Sequence, residues 1–427
     1  MAGDPEPGDY VLVKTDEKSL EGVLMPSPLL AENEQILVKL ESGYNIGFHK
    51  GSVKELLVLK KHEPNPQHQQ DGQTTQSDSS NERISLLSTG GTISSRVDYR
   101  TGGVAASLSA SELLDSMPEL EGDIDLRARA VMNVMSEDMN PRLWLKLAKE
   151  VAEELNSGAE GVVVLHGTDT MHYSTAALSF LLNKTSKPIV FTGAQRSIDR
   201  GSSDGFMNIA CSIILARADY AGVALLMHEN MDDESCLAHH GTRVRKMHTS
   251  RRDAFKSINA PPLAKVSHRG VDFKSKHGLR GLGETFIEGG LNDKVGFVKA
   301  YPGMNPELID FYVDRGYRGI VFEGTALGHL PVSREGYSLL PKIERALDEG
   351  LFLTMSTQTL NGRVHPHVYS NLRELSSRGV VYLGDMLAET AYVKLMWVLD
   401  KDIGNAEAGE LMLKPVSGEL SERSLVY

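Results

Sequence analysis

Gly161-Val162-Val163-Val164-Leu165-His166-Gly167-Thr168-Asp169-Thr170 is the stretch that decides the fold. A β-branched apolar run stops at a Gly-containing loop, and helical periodicity follows. That order of signals reads as a buried parallel strand feeding a loop at its carboxyl end. The same grammar occurs upstream, where Ile84-Ser85-Leu86-Leu87-Ser88 runs into Thr89-Gly90-Gly91-Thr92. In open α/β sheets the carboxyl edge of the strands is where ligands bind. Two hydroxyl-bearing loops at one such edge point to a chemical site.

Outward from these loops the chain divides by composition. Residues 8–60 alternate short apolar runs, such as Tyr10-Val11-Leu12-Val13 and Ile36-Leu37-Val38-Lys39-Leu40, with turn residues such as Pro26-Ser27-Pro28. This predicts a small all-β, SH3-like barrel over 1–61, a docking module rather than a catalytic one. Residues 62–82 lack the large apolar side chains needed to bury surface and are expected to link. From 83 the pattern becomes strand–helix–strand. Strands are expected at 84–89, 128–133, 161–166, 188–192 and 222–227, and helices near 110–117, 141–156, 170–183 and 203–217. A doubly wound parallel sheet follows, in an α/β domain over 83–275. Residues 251–290 read as irregular. A second alternation runs through strands 295–300, 318–323, 351–355 and 379–383 and helices 305–315, 334–348 and 386–399. It predicts a smaller α/β domain over 290–427.

Composition sets limits. At 427 residues, with 41% hydrophobic and 24% charged side chains, the chain is an ordinary globular protein of two or three domains. The start has no basic n-region or apolar h-region, and no apolar stretch reaches membrane-spanning length. The two cysteines form no Cys-x-x-Cys pair, so a reduced, cytoplasmic setting is expected. A net charge of −12 argues against a broad basic face for nucleic acid.

The chemistry lies in the hydroxyls. A Thr hydroxyl is un-ionised at neutral pH and needs a neighbouring group to activate it. Thr92 and Thr168 are the candidate hydroxyls, Asp169 adjoins one of them, and Lys246 is a candidate base. Alone, a Gly-Gly pair after a strand is often only a tight turn. The Gly spacing fits neither a dinucleotide fingerprint nor a phosphate loop. His239, His240 and His248 fit no standard zinc spacing. Trp144 and Met171 sit at helical spacing and read as core.

Leu87-Ser88-Thr89-Gly90-Gly91-Thr92-Ile93-Ser94 together with His166-Gly167-Thr168-Asp169-Thr170-Met171 resembles the bacterial-type L-asparaginase/glutaminase family. Met135-Ser136-Glu137-Asp138-Met139-Asn140, Phe191-Thr192-Gly193-Ala194-Gln195-Arg196 and the segment from Arg243 through Lys246 to Phe255-Lys256-Ser257 are further matches, so the similarity covers roughly residues 83–425. The resemblance implies an asparaginase-like pair of α/β domains. It implies Thr92 as nucleophile, a Thr168–Asp169–Lys246 relay, Tyr99 on a mobile loop, and Ser136 and Glu137 at the substrate. Glu137 stands where the family has Gln. The β-module, the linker and the loop Arg96-Val97-Asp98-Tyr99-Arg100-Thr101-Gly102 are similar to an archaeal branch that serves tRNA-dependent amidotransferases. That branch implies hydrolysis of glutamine or asparagine to ammonia, with no cofactor in this chain. It implies a partner, the amidotransferase's E-type subunit, that holds ATP and Mg and makes most of the contact with Glu-tRNA(Gln). It also implies a homodimer core within a heterotetramer. A free-standing cytoplasmic L-asparaginase is the alternative.

Overall fold

The computed structural model describes residues 4–16, 18–25, 35–40, 45–61, 82–90, 95–97, 104–106, 124–196 and 203–424. Residues 62–81 of the expected linker and the helix near 110–117 fall outside these residues, whereas Glu82, the last residue of that expected linker, begins a strand.

The N-terminal segment forms β1 (Tyr10–Lys14), β2 (Ser19–Met25), β3 (Gln35–Lys39), β4 (Asn45–His49) and β5 (Glu55–Lys60). They make one all-antiparallel sheet in the order β4-β3-β2-β1-β5. Alternation places Val11, Val13, Leu24, Val38 and Phe48 in a separate small core.

The central sheet is built from β6 (Glu82–Ser88), β9 (Ile124–Ala130), β10 (Gly161–Leu165), β11 (Pro188–Thr192) and β12 (Gly222–His228). A short hairpin of β7 (Ser95–Val97) and β8 (Val104–Ala106) precedes β9. β9, β6, β10, β11 and β12 lie parallel in that order. The sheet is mixed rather than wholly parallel. β13 (Cys236–His240), β16 (Ala264–Ser267) and β17 (Gly270–Phe273) add antiparallel strands beyond β12. Two segments expected to be irregular between 251 and 290 are thus strands of this sheet. A third, β15 (Phe255–Ser257), pairs with β14 (Val244–Lys246) in a hairpin. β9 begins four residues before the expected 128. As an edge strand it exposes both Arg127 and Arg129, so Ile124 and Leu126 alternate with charge and give no continuous apolar run.

Strand side chains alternate between two cores. Val162 and Val164 pack with α1 (Pro141–Asn156) and α2 (Met171–Leu181), whereas Val163 and Leu165 pack under α3 (Gly205–Arg217). Asn140 caps α1: its side chain accepts from Arg142 N and Leu143 N, both at 3.2 Å, and Pro141 follows at the first turn.

The second domain stacks β18 (Val295–Lys299), β19 (Gly319–Gly324), β20 (Phe352–Thr357) and β21 (Val381–Tyr382) in parallel. Its helices are α4 (Glu307–Asp314), α5 (Leu340–Asp348), α6 (Ser370–Ser377), α7 (Ala388–Leu399) and α8 (Asn405–Leu413). α5 starts later than the expected 334 because Pro341 sets its first turn. α7 is apolar nearly all round and lies buried between α2 and the second sheet, with Trp397 stacked on Phe180 at 5.9 Å. One hydrophobic core therefore serves both domains.

The C-terminal tail closes that core. Lys394 on α7 meets Glu419 at 2.5 Å, and neither side chain has any solvent exposure. Lys394 also donates to Met412 O (2.9 Å) and Lys414 O (2.6 Å), while Glu419 accepts from Val416 N and Ser417 N. Burial alone draws the Lys394 ammonium below its ordinary value, and Glu419 counters that shift. Such a pair adds little net stability, but removing one member strands the other charge. Lys394→Ala should therefore cost about 3–5 kcal/mol in denaturant unfolding.

Candidate active site

Parallel pairing of β6 with β10 matches Leu87 to Val164 and Ser88 to Leu165, so residues 89–90 and 166–170 leave the sheet side by side. Thr89 ties the two loops together: its N–H donates to Leu165 O at 2.9 Å, and its hydroxyl donates to the same oxygen at 3.2 Å. Gly90 takes φ +109°, and a Cβ there would lie 2.7 Å from both Val134 N and Val134 O. Only glycine fits that turn. Thr92 and Tyr99 lie outside the described residues.

The structure brings Lys246 to the adjacent Thr168 and Asp169 from 77–78 residues further along the chain. Lys246, the last residue of β14, donates from Nζ to Thr168 Oγ1 at 2.8 Å and to Asp169 Oδ1 at 2.7 Å. Its side chain is 9% exposed, whereas that of Asp169 is 68% exposed. Ser136 opens a short turn over 136–138 and is buried, and its carbonyl accepts from the Thr170 hydroxyl. Glu137, the next residue, is exposed.

Beneath the loop lies a fixed polar chain. Trp144 Nε1 donates to Ser174 Oγ at 2.8 Å, and Ser174 lies 2.9 Å from His166 Nε2. Since Trp can only donate, the Ser174 hydroxyl is free to donate to Nε2. The proton of His166 then sits on Nδ1 and reaches Gly167 O at 2.7 Å. Burial holds His166 neutral, with its pKa lowered to about 4. His172, in the first turn of α2, is lowered to about 3 by burial, helped by Arg245 and Lys246. Two of the histidines considered for a metal serve the framework: His239 meets Ser257 Oγ and His240 meets Ser275 Oγ, both at 2.7 Å.

Residues that the sequence reading did not identify hold the frame. Asp204, fully buried, accepts from Gln195 N and Arg196 N at 3.0–3.1 Å and from Asn208 Nδ2, fixing the loop after β11. Its only sequence signal is Ser203-Asp204-Gly205 ahead of a helical run. Acidic residues of the second domain reach β14 and the turn before it. Asp385 pairs with buried Arg243 at 3.0 Å, and Glu389 pairs with Arg245 at 3.1 Å. Burial raises the Glu389 carboxyl above its usual range, and Arg245 opposes that shift. Among the described residues no group of three or more His, Cys, Asp or Glu side chains is placed to hold a metal ion. No helix among them is long and apolar enough to cross a membrane.

A loop threonine just past a parallel strand, bridged through a largely buried lysine to a carboxylate on this two-domain frame, defines an asparaginase-type amidohydrolase. Residues 83–278 match the family described as Asparaginase, N-terminal, and 294–412 match the Glutaminase/Asparaginase C-terminal domain. Residues 5–59 match the GatD N-terminal domain. The L-asparaginase of Thermococcus kodakarensis superposes with TM-score 0.71 at 31% identity, covering 80% of this chain and all of that one. An L-asparaginase I from Vibrio cholerae gives 0.67 at 26% identity, covering 80% and 99%. Over nearly the full length, the chain is 46% identical to the D-type subunit of glutamyl-tRNA(Gln) amidotransferase from Pyrococcus furiosus (97% of this chain, 95% of that one). It is 44% identical to the corresponding protein of Methanothermobacter thermautotrophicus (98% and 95%). The chain belongs to this GatD family of glutamyl-tRNA(Gln) amidotransferase subunits.

The close approach of backbone at Gly193 and the buried histidines each give a testable consequence. A Cβ at Gly193 would lie 2.6 Å from His166 O and 2.9 Å from Thr168 Cγ2. Gly193→Ala should lower kcat about 100-fold with an unchanged circular dichroism spectrum. For pH, His166, His172, His239 and His240 all have folded pKa values of about 3–4, against an unfolded value of about 6.5. The unfolded chain then binds more protons below about pH 6.5. Their contribution is present above that value and is lost as pH falls toward 3–4. The Tm should drop between pH 7 and 5, and His172→Phe should flatten that slope.

Proposed function

We propose that this chain hydrolyses the side-chain amide of glutamine or asparagine and supplies ammonia for amidation of Glu-tRNA(Gln). The observation that carries this reading is Lys246 Nζ at 2.8 Å from Thr168 Oγ1 and 2.7 Å from Asp169 Oδ1. A hydroxyl gains nucleophilic or base character only beside a group that takes its proton. Lys246, hydrogen-bonded to Thr168 Oγ1, is the group placed to exchange that proton.

In the proposed reaction the Thr92 oxygen attacks the amide carbon and its proton passes to the relay. The C–N bond breaks, the nitrogen leaves with that proton as ammonia, and an acyl ester on Thr92 remains. Thr168 and Lys246 then take a proton from water, whose oxygen adds to the ester carbon. The bond to Thr92 breaks, the relay returns its proton to the Thr92 oxygen, and the acid product loses its remaining proton to solvent and leaves as the carboxylate. Asp169, with its exposed carboxylate, suits the cationic amino group of the substrate. By the family resemblance, Ser136 and Glu137 are assigned to the substrate, and Tyr99 to a loop that covers it. Main-chain N–H groups of the Gly-containing loops suit the developing oxyanion.

The relatives' name supports a partner that activates the tRNA-borne glutamate. By this reading that partner is the amidotransferase's E-type subunit, which holds ATP and Mg, while this chain needs no cofactor. The assembly is a cytoplasmic heterotetramer around a homodimer of this chain. The five-stranded N-terminal sheet, with β5 returning to β1, reads as an SH3-like barrel that docks rather than catalyses.

Lys246→Met should reduce glutaminase kcat about 100- to 10,000-fold while leaving the unfolding midpoint near that of the parent. Purified chain is then assayed alone and with its co-purifying partner and Glu-tRNA(Gln). A large rise in glutamine hydrolysis is expected with the partner, and an unchanged rate would instead identify a free-standing asparaginase.

A further inference from the structure

The carboxyl edge of the central sheet carries the Thr168–Lys246 cluster. The opposite edge contains a cavity of about 420 Å3, between the end of α2, the start of β12, the end of β13 and the C-terminal tail. That volume is within the range of small-molecule sites.

Its lining is chemically one-sided. Lys276 is the one lysine or arginine among the described lining residues, and it makes no ion pair among the described residues. No Asp or Glu is among the described lining residues. Burial lowers the His240 pKa to about 4, so that ring is neutral, and it already meets Ser275 Oγ. Tyr220 is 3% exposed, and its hydroxyl has no hydrogen-bond partner among the described residues. That hydroxyl lies beside Gly222, another lining residue, where a Cβ would come within 2.8 Å of it. Burial raises the phenol above its ordinary value, so it stays protonated and is an unused donor.

The same cavity touches the frame of the active site. Ser417 and Gly418 line it, and their carbonyls accept from Thr242 Oγ1 at 2.9 Å and Arg243 Nε at 2.8 Å. Gly241, also in the lining, accepts from Thr175 Oγ1 at 3.0 Å. Residues 241–243 lead directly into β14, whose last residue is Lys246. An occupant resting on 241 and 417–418 therefore bears on the strand that aims the lysine.

We infer that this cavity is an effector site for a small organic anion, a carboxylate- or phosphate-bearing metabolite, held by the Lys276 ammonium and the Tyr220 hydroxyl and coupled to Lys246 through residues 241–246. The coupling rests on the reading of Lys246 given above, whereas the binding does not.

The test uses full-length chain with its co-purifying partner, titrated calorimetrically with citrate and with inorganic phosphate. At least one anion should bind, about tenfold more weakly in Lys276→Ala and about threefold more weakly in Tyr220→Phe, and unchanged in Thr168→Val. Because Thr168→Val alters only the catalytic edge, binding that vanishes there would assign the anion to that edge and overturn the inference. No binding by either anion, or binding indifferent to Lys276→Ala, would overturn it as well. At saturating anion, KM or kcat for glutamine should shift in the parent and not in Lys276→Ala. Binding without any such shift would overturn the coupling.

Discussion

The parallel register of β6 on β10 is the constraint from which the site grows. Pairing Leu87 with Val164 and Ser88 with Leu165 makes both strands end at the same level, so both loops open at one edge. A slip of one residue would turn every inward Val of β10 outward. Both faces of β10 are buried, with Val162 and Val164 in one core and Val163 and Leu165 in the other. Register error would therefore sacrifice packing on two faces at once. Burial of a single Val or Leu is worth about 1.5–3 kcal/mol, so the position of Thr168 is fixed by the core rather than by its own hydrogen bonds.

Lys246 needs a second anchor, because β14 is only three residues long and lies outside the central sheet. Arg243 supplies it. The guanidinium, 2% exposed, donates to Gly418 O, Asp385 O, Asp385 Oδ2 and Ser421 Oγ. Thr390 Oγ1 adds a bond to Thr242 O at 3.0 Å. A buried arginine with its donors used in this way offsets its desolvation cost and leaves one geometry available. The strand of the first domain that carries Lys246 is thus aimed by the second domain and the tail.

Much of this was legible in the chain, and the remainder was hidden for identifiable reasons. β10, β11, α1 and the placement of Thr168 and Asp169 follow from local pattern, because fully buried strands read as continuous apolar runs. β9 was misplaced because an edge strand carries Arg127 and Arg129 among its apolar residues. β16 and β17 span four residues each, too short for any period to register. The Arg243–Asp385 pair joins positions 142 residues apart, and Lys394–Glu419 looks in sequence like two ordinary surface charges. Charged residues are rarely fully buried, so nothing local marks those that are. Lys246 was a candidate base from its chemistry, but its meeting with Thr168 and Asp169 was implied only by the resemblance, since a lysine on a three-residue strand carries no positional signal of its own.

Sharing one frame between the site and the tail has a mechanical consequence. α7 is packed against α2 on one side and the second sheet on the other, and its Lys394 holds the tail through Glu419. The tail in turn reaches α2 through Ser417 Oγ and Ser179 O at 2.5 Å. α2 begins just after Asp169 and ends at the far edge of the sheet, so it is one rigid body joining both ends. Packed interiors transmit displacement because they have little free volume to absorb it. Any shift of the tail must then appear either in α2 or in the 242–243 turn, and both lead to the Thr168–Lys246 contact. The site is consequently set by the seating of residues 416–421 as much as by the loops that carry its hydroxyls.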